Sequence, residues 1–160
     1  MKELENNDKD FELWILLDKT REAILQVRQN ELNRYNLSTS QAAVLNIICR
    51  LGGQATTAQI SRWMFRKPNS MTQLINRMEN EGLVTRVKDL PQKNLVRIAP
   101  TQKGEQLYLK SVKKGYLHQV MKNLSDEQQQ QMTLILETLR TKAHKKLRIY
   151  KMPLLPPLKK

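Results

Sequence analysis

The sequence predicts a mainly α-helical fold with one small β-hairpin, on three observations. Apolar residues recur at helical spacing through most of the 160 residues. Three capping-box patterns, Ser38 to Gln41, Thr56 to Gln59 and Ser125 to Gln128, mark helix starts. Two short runs, Leu83 to Lys88 and Leu95 to Ala99, read instead as strands on either side of a turn. Five Gly and six Pro disfavour an all-β chain.

Taken in order, Lys9 to about Tyr35 reads as a long helix. Leu13, Trp14, Ile15, Leu16 and Leu17 make it apolar nearly all round, so it needs burial from more than one side. A stripe through Trp14, Leu17, Ile24, Arg28, Leu32 and Tyr35 continues that surface, and a second chain is the simplest partner for it. Ser38 opens the next helix, with Ala42, Leu45, Ile48 and Cys49 at helical spacing, and Gly52-Gly53 ends it. Thr56 starts a short helix through Ile60, Trp63 and Met64. Pro68-Asn69-Ser70 stops that element and starts another, with Asn69 or Ser70 as the expected cap. Met71, Leu74, Ile75 and Met78 form one face of this helix; Asn69, Gln73, Asn76 and Asn80 lie opposite, flanked by Thr72 and Arg77. Gly82 is the stop, with Leu83 folding back on Met78. Asp89 to Asn94 is a turn by composition, and Pro100 closes the hairpin. Thr101 caps a helix carrying Tyr108, Val112, Tyr116, Val120 and Leu124 at steps of four. Ser125 opens a last helix with Met132, Ile135, Leu136, Leu139, Ala143, Leu147 and Tyr150.

Charge narrows the function. With 28 Lys+Arg against 15 Asp+Glu, the net charge is +13, which points to a polyanionic partner. Residues 61–114 and 140–160 each carry a net +8 around a nearly neutral stretch. A single Cys rules out an internal disulfide frame. No apolar run approaches the ~18 residues that span a bilayer, and the acidic N-terminus resembles neither a signal nor a transit peptide, so a cytoplasmic chain with no membrane partner is expected. There is no phosphate-cradling Gly loop, no His-Glu-x-x-His and no Gly-x-Ser-x-Gly, so no enzyme is predicted. His118 and His144 have no spaced partner that would make a metal site, and no cofactor is called for.

A short helix, a tight turn, a capped helix with a polar outer face and a basic hairpin together form a winged helix-turn-helix. Such a helix enters the major groove with its N-terminal residues at the base edges. Asn and Gln suit adenine, Ser and Thr suit several edges or phosphates, and helix N-terminal amides favour phosphate oxygens. The bland alternative is an ordinary solvated face, but such faces usually favour Glu, Lys and Arg, so Asn and Gln here point to a surface kept for hydrogen bonding. Arg86, Lys88, Lys93 and Arg97 of the hairpin can reach the adjacent backbone or minor groove. The candidate DNA-binding residues are therefore Asn69, Ser70, Thr72, Gln73, Asn76, Arg77, Arg86, Lys88 and Lys93.

The segment Arg77-Met78-Glu79-Asn80-Glu81-Gly82-Leu83-Val84 resembles the Arg-Leu-Glu-x-x-Gly-Leu-Ile/Val signature of the MarR family of winged helix-turn-helix regulators. Thr101-Gln102-Lys103-Gly104 is similar to the family's Leu-Thr-x-x-Gly, with Pro100 in the Leu position. At the hairpin tip the family usually has Asp-x-Arg; Gln92, Lys93 and Asn94 stand there instead, which moves the expected tip contact to Lys93. The resemblance implies dimerisation helices at 1–36 and 102–160 around a DNA-binding domain at 37–101. It implies a homodimer that reads a pseudo-palindromic operator in double-stranded DNA as a transcriptional regulator, a repressor in the commonest case. Family members often respond to small aromatic or phenolic ligands between the dimer base and the winged domain. Trp14, Tyr35, Tyr108 and Tyr116 are the candidates to line such a cleft, although aromatics at helical spacing are core more often than ligand box. Some relatives sense oxidants through Cys; Cys49, on an apolar helix face, reads as an inert buried thiol. The competing class is a basic architectural or RNA-binding protein that coats nucleic acid without choosing sequence.

Overall fold

The computed structural model describes residues 9–88, 96–113 and 115–149. Helix α1 (Lys9–Leu32) runs into a single 3-10 turn at Asn33–Tyr35. Gln29 ties it to the start of the next helix: its amide donates to Leu37 O at 3.1 Å and its carbonyl accepts from Thr39 N at 2.9 Å. Helix α2 (Thr39–Arg50) starts on the expected capping box, with Gln41 N donating to Ser38 Oγ at 3.1 Å and Ser38 N donating to Gln41 Oε1 at 2.8 Å. Ser38→Ala is expected to cost about 1 kcal/mol in a urea titration, because it strands one amide of the first turn. The turn after α2 closes by Gly53 N donating to Ile48 O at 2.9 Å.

Strand β1 (Ala55–Thr56) was not expected from the sequence. Two residues carry no alternation, and Thr56 at once caps α3 (Thr57–Met64) through a second capping box. Helix α4 (Pro68–Asn80) departs from expectation at its start: its N-cap is Lys67, without a side-chain cap bond, and neither Asn69 nor Ser70 caps it. Pro68 occupies the first turn, where its fixed φ suits the helix and its missing N–H is no loss. Gly82 takes φ +69° after α4, a conformation that costs glycine no Cβ clash, and Leu83 N folds back to Met78 O at 2.8 Å as expected.

Strands β2 (Val84–Val87) and β3 (Arg97–Pro100) form the hairpin, Val84 opposite Pro100 and Arg86 opposite Ile98. Pro100 is therefore the last residue of the second strand and closes the hairpin. Strand β1 pairs antiparallel with the far edge of β3, giving the sheet order β1-β3-β2. The turn expected at Asp89–Asn94, and with it Lys93, lies outside the described residues, as do Tyr150 and the Pro-rich tail.

Thr101 caps α5 (Gln102–Ser111): Gly104 N donates to its Oγ1 at 3.1 Å, and the same hydroxyl donates to Gly82 O at 2.6 Å. The single long helix expected from Gln102 to Leu124 is instead two, α5 and α6 (Tyr116–Met121). Apolar steps of four run through the break, so spacing could not reveal it. The break coincides with a glycine, a poor helix former, and with a close tertiary approach. Helix α6 packs on α1, and a Cβ at Gly115 would lie 1.6 Å from Glu31 Oε1. Glu31 is itself held by Arg28 Nη1 at 2.8 Å. Helix α7 (Asp126–Lys146) opens on the third capping box, Gln128 N donating to Ser125 Oγ at 3.2 Å.

The core lies under the sheet and helices α2 to α5. Leu45, Ile48, Ile60, Met71, Ile75, Met78, Leu83, Val84 and Ile98 fill it, joined by Leu32 from α1 and Tyr108 from α5. The Tyr108 hydroxyl donates to Asn46 Oδ1 at 3.2 Å, and burial pushes its pKa up. Outside that core the first and last helices leave much apolar surface exposed. No described residue of α7 is buried, and Leu134, Ile135, Leu136 and Leu139 are exposed along it. Phe11, Leu13, Trp14, Leu16 and Leu17 are exposed on α1, Trp14 to 56%.

Candidate nucleic-acid interface

Helix α4 is pinned by its inner face. Met71, Ile75 and Met78 are 0% exposed and Leu74 is buried beside them. At ~100° per residue this fixes what points outward. Asn69, Ser70, Thr72, Gln73, Asn76, Arg77 and Asn80 are all exposed, and all but Arg77 are uncharged amides or hydroxyls. Thr72 Oγ1 donates to Pro68 O at 3.0 Å, so its hydroxyl meets outside groups mainly as an acceptor. The N-terminal end of α4 follows a tight turn in which Phe65 takes φ +51° and Arg66 Nη2 donates to Ser40 Oγ at 2.9 Å. Arg66 and Lys67 add positive charge where helix amides already favour anions.

The hairpin stands beside α4 rather than apart from it. Lys88 is exposed at the end of β2. Arg86 is engaged within the protein: Nη1 pairs with Glu79 Oε2, and Nη2 donates to Asn76 Oδ1. The structure thus joins Asn76, Glu79 and Arg86, a contact the sequence reading missed. Asn76 and Glu79 are three apart on one edge of a helix, but which strand residue folds across that edge depends on the hairpin's placement.

The four aromatics proposed as a ligand lining do not share one environment. Tyr108 is core, Tyr35 packs against the core, and Trp14 meets Phe11 with ring centroids 5.4 Å apart. Tyr116 lines a cavity of about 400 Å³ between α1 and α6, with Val27, Asn30, Gln119, Val120 and Asn123. Arg34 sits over the Tyr116 ring at 4.4 Å and hydrogen-bonds its hydroxyl. Cys49 is half-buried, and desolvation, with Glu105 adding repulsion, raises its thiol above the ordinary range. Native Cys49 should therefore react slowly with iodoacetamide at pH 8 and rapidly once the chain is unfolded in urea; equal rates would contradict an inert thiol. His144, near the end of α7, lies against Phe65, ring centroids 5.4 Å apart. Among the described residues no His, Cys, Asp or Glu cluster is placed to hold a metal, and no helix is long and apolar enough to cross a membrane.

A three-helix core bearing a turn-linked outer helix and a three-stranded wing defines the winged helix-turn-helix class. Residues 35–101 match the MarR family model. An HTH-type transcriptional regulator of Bacillus subtilis (strain 168), YsmB, is 31% identical over 109 residues, which is 66% of this chain and 74% of that one. The homoprotocatechuate degradative operon repressor of Escherichia coli is 28% identical over 128 residues, 78% of this chain and 85% of the repressor. Among solved structures, the organohalide-sensing RdhR transcriptional regulator in its ligand-free form superposes with a TM-score of 0.81 at 26% identity, over 100% of this chain and 95% of that one. Its 2,4-dichlorophenol-bound form gives 0.77 at 27% identity, over 88% and 85%. The chain belongs to the MarR family of winged-helix transcriptional regulators.

Proposed function

We propose that this protein is a cytoplasmic, sequence-specific repressor that binds a pseudo-palindromic operator in double-stranded DNA as a homodimer. The observation that carries the reading is the outward face of α4. Apart from Arg77 it is uncharged, rich in amides and hydroxyls, and anchored by buried methionines and aliphatics. In this proposal Gln73 and Asn76 read base edges. Asn69, Ser70, Thr72 and Arg77 meet base edges or phosphates near the helix start, and Lys88 and Lys93 meet the backbone from the wing. The net +8 of residues 61–114 supports this placement.

Residues 1–36 and 102–160 are the proposed dimerisation helices, and 37–101 the DNA-binding domain. The bare apolar surfaces of α1 and α7 support a second copy as their cover, because exposed patches of this kind mark interfaces. Two α4 helices would then lie one DNA turn apart, ~34 Å, on two half-sites. The relatives' names support an aromatic or phenolic effector. One relative represses a homoprotocatechuate degradative operon, and another was solved with 2,4-dichlorophenol at 27% identity.

Competition in a gel shift decides between this and a non-selective architectural or RNA-coating protein. The repressor reading expects ~10³-fold or greater preference for the operator over random duplex; a ratio near one favours the other class. Operator affinity should also fall steeply with salt, by about 0.9 in log–log slope for each phosphate neutralised. Removing Lys93 should weaken all duplexes about equally and lower that slope by about one.

A further inference from the structure

We infer that Arg86 is a positioning residue for base reading: it holds the Asn76 amide with its NH2 group turned outward, so that Asn76 reads an acceptor edge, guanine above all, rather than adenine. This inference rests on the proposed operator reading and specifies its chemistry at one position.

The geometry is a bridge across the wing and the helix. Arg86 stands on β2, opposite Ile98, and reaches α4 through two of its nitrogens. Nη1 meets the Glu79 carboxylate and Nη2 donates to Asn76 Oδ1. Glu79 fixes the guanidinium and neutralises it. Arg86 is therefore a poor phosphate clamp, since its charge is already matched and both of its terminal nitrogens already have a partner within the chain. What the bridge changes is the polarity of Asn76. A carboxamide can pair two-fold with adenine only if its oxygen accepts from N6 while its nitrogen donates to N7. With the oxygen committed to Arg86, the outward end of Asn76 is its NH2, which can only donate. In the major groove, guanine presents two neighbouring acceptors, N7 and O6, and cytosine presents only a donor. Arg86 thus contributes to sequence choice without touching a base.

The test uses the full-length protein and binding selection from a randomised duplex library. The wild-type protein is expected to prefer guanine at one base pair of each half-site. Arg86→Ala frees the amide to turn and should reduce that preference by about tenfold or more, at that pair alone. Asn76→Ala should erase the same preference, and in the double variant Arg86→Ala should add nothing to it. Asn76→Asp keeps the size and the Arg86 contact but presents an acceptor, and should shift the preferred base to cytosine. Should Arg86→Ala prove unfolded by circular dichroism, Glu79→Gln replaces it: loosening the bridge should blur the same base pair and no other. Two results overturn the inference. One is an unchanged base profile with uniformly lower affinity and a salt slope reduced by about one, which would make Arg86 a phosphate contact. The other is a guanine preference that survives every variant. A wild-type protein with no sequence preference would instead remove the operator reading beneath it.

Discussion

A protein carrying Leu17→Glu and Leu136→Glu should sediment as a folded monomer and lose operator affinity by ~10²–10⁴-fold. Both side chains are exposed within one copy of the chain, so the substitutions remove no intrachain core packing. What they place in the proposed interface is two carboxylates per copy without partners, and removing such charges from water costs several kcal/mol each. The affinity loss comes from linkage. Two half-sites bound by one dimer profit from a high effective concentration that two monomers lack, and that gain is commonly ~10²–10⁴. Sedimentation velocity and a gel shift on the same preparation read both effects, and circular dichroism confirms the fold. Truncating the chain before Gln102 would be a poorer experiment, because α5 supplies Tyr108 to the core. A variant that stays dimeric, or a monomer that binds as tightly as the parent, would contradict the proposed role of the terminal helices.

Gly104→Ala should destabilise the winged domain by about 3–5 kcal/mol, a large share of a typical domain's 5–15. A Cβ at this position would lie 2.0 Å from Leu83 O and 3.1 Å from Leu83 C. Both are backbone atoms, so no rotamer change relieves the overlap. Leu83 O is also the acceptor for Thr101 N at 3.1 Å, which sets α5 against the end of α4. Pushing α5 away would open the core at Tyr108 and Leu83 together. Urea titration by tryptophan fluorescence measures the loss, with Ile75→Ala, expected to cost about 2–5 kcal/mol, as a reference for a plain core cavity. A Gly104→Ala midpoint within error of the parent would mean that the approach of α5 to Leu83 is looser than this structure holds it.

The elements most legible in the sequence are those whose ends are written in local chemistry. Ser38, Thr56 and Ser125 each begin a helix by a box of four residues, and each does so in the structure. Gly82 with Leu83, and Thr101 with Gly104, likewise act over short spans. The buried face of α4 was legible because Met71, Leu74, Ile75 and Met78 repeat at the helical period, and its outer face came by subtraction. Illegible features are those decided by parts of the chain far apart. Strand β1 exists because β3 offers it an edge. The break before Tyr116 arises where Gly115 approaches Glu31, a residue distant in the chain. The start of α4 went to Pro68 because a proline at the first turn competes well with a side-chain cap one or two residues later. At the interface, the residue types were readable and their partnerships were not. Arg86 looked like one more wing cation until the fold set it against Glu79 and Asn76.

The most direct test of the outward α4 face is binding selection from a randomised duplex library with Gln73→Ala beside Lys88→Gln. Gln73 is exposed on that face and sits one turn before Asn76. Gln73→Ala should flatten the preference at one base pair of each half-site by ~1–3 kcal/mol, while Lys88→Gln should weaken all sequences alike and leave the preferred site intact. Identical preferred sites for the parent and Gln73→Ala, with only a uniform drop in affinity, would contradict base reading by this helix.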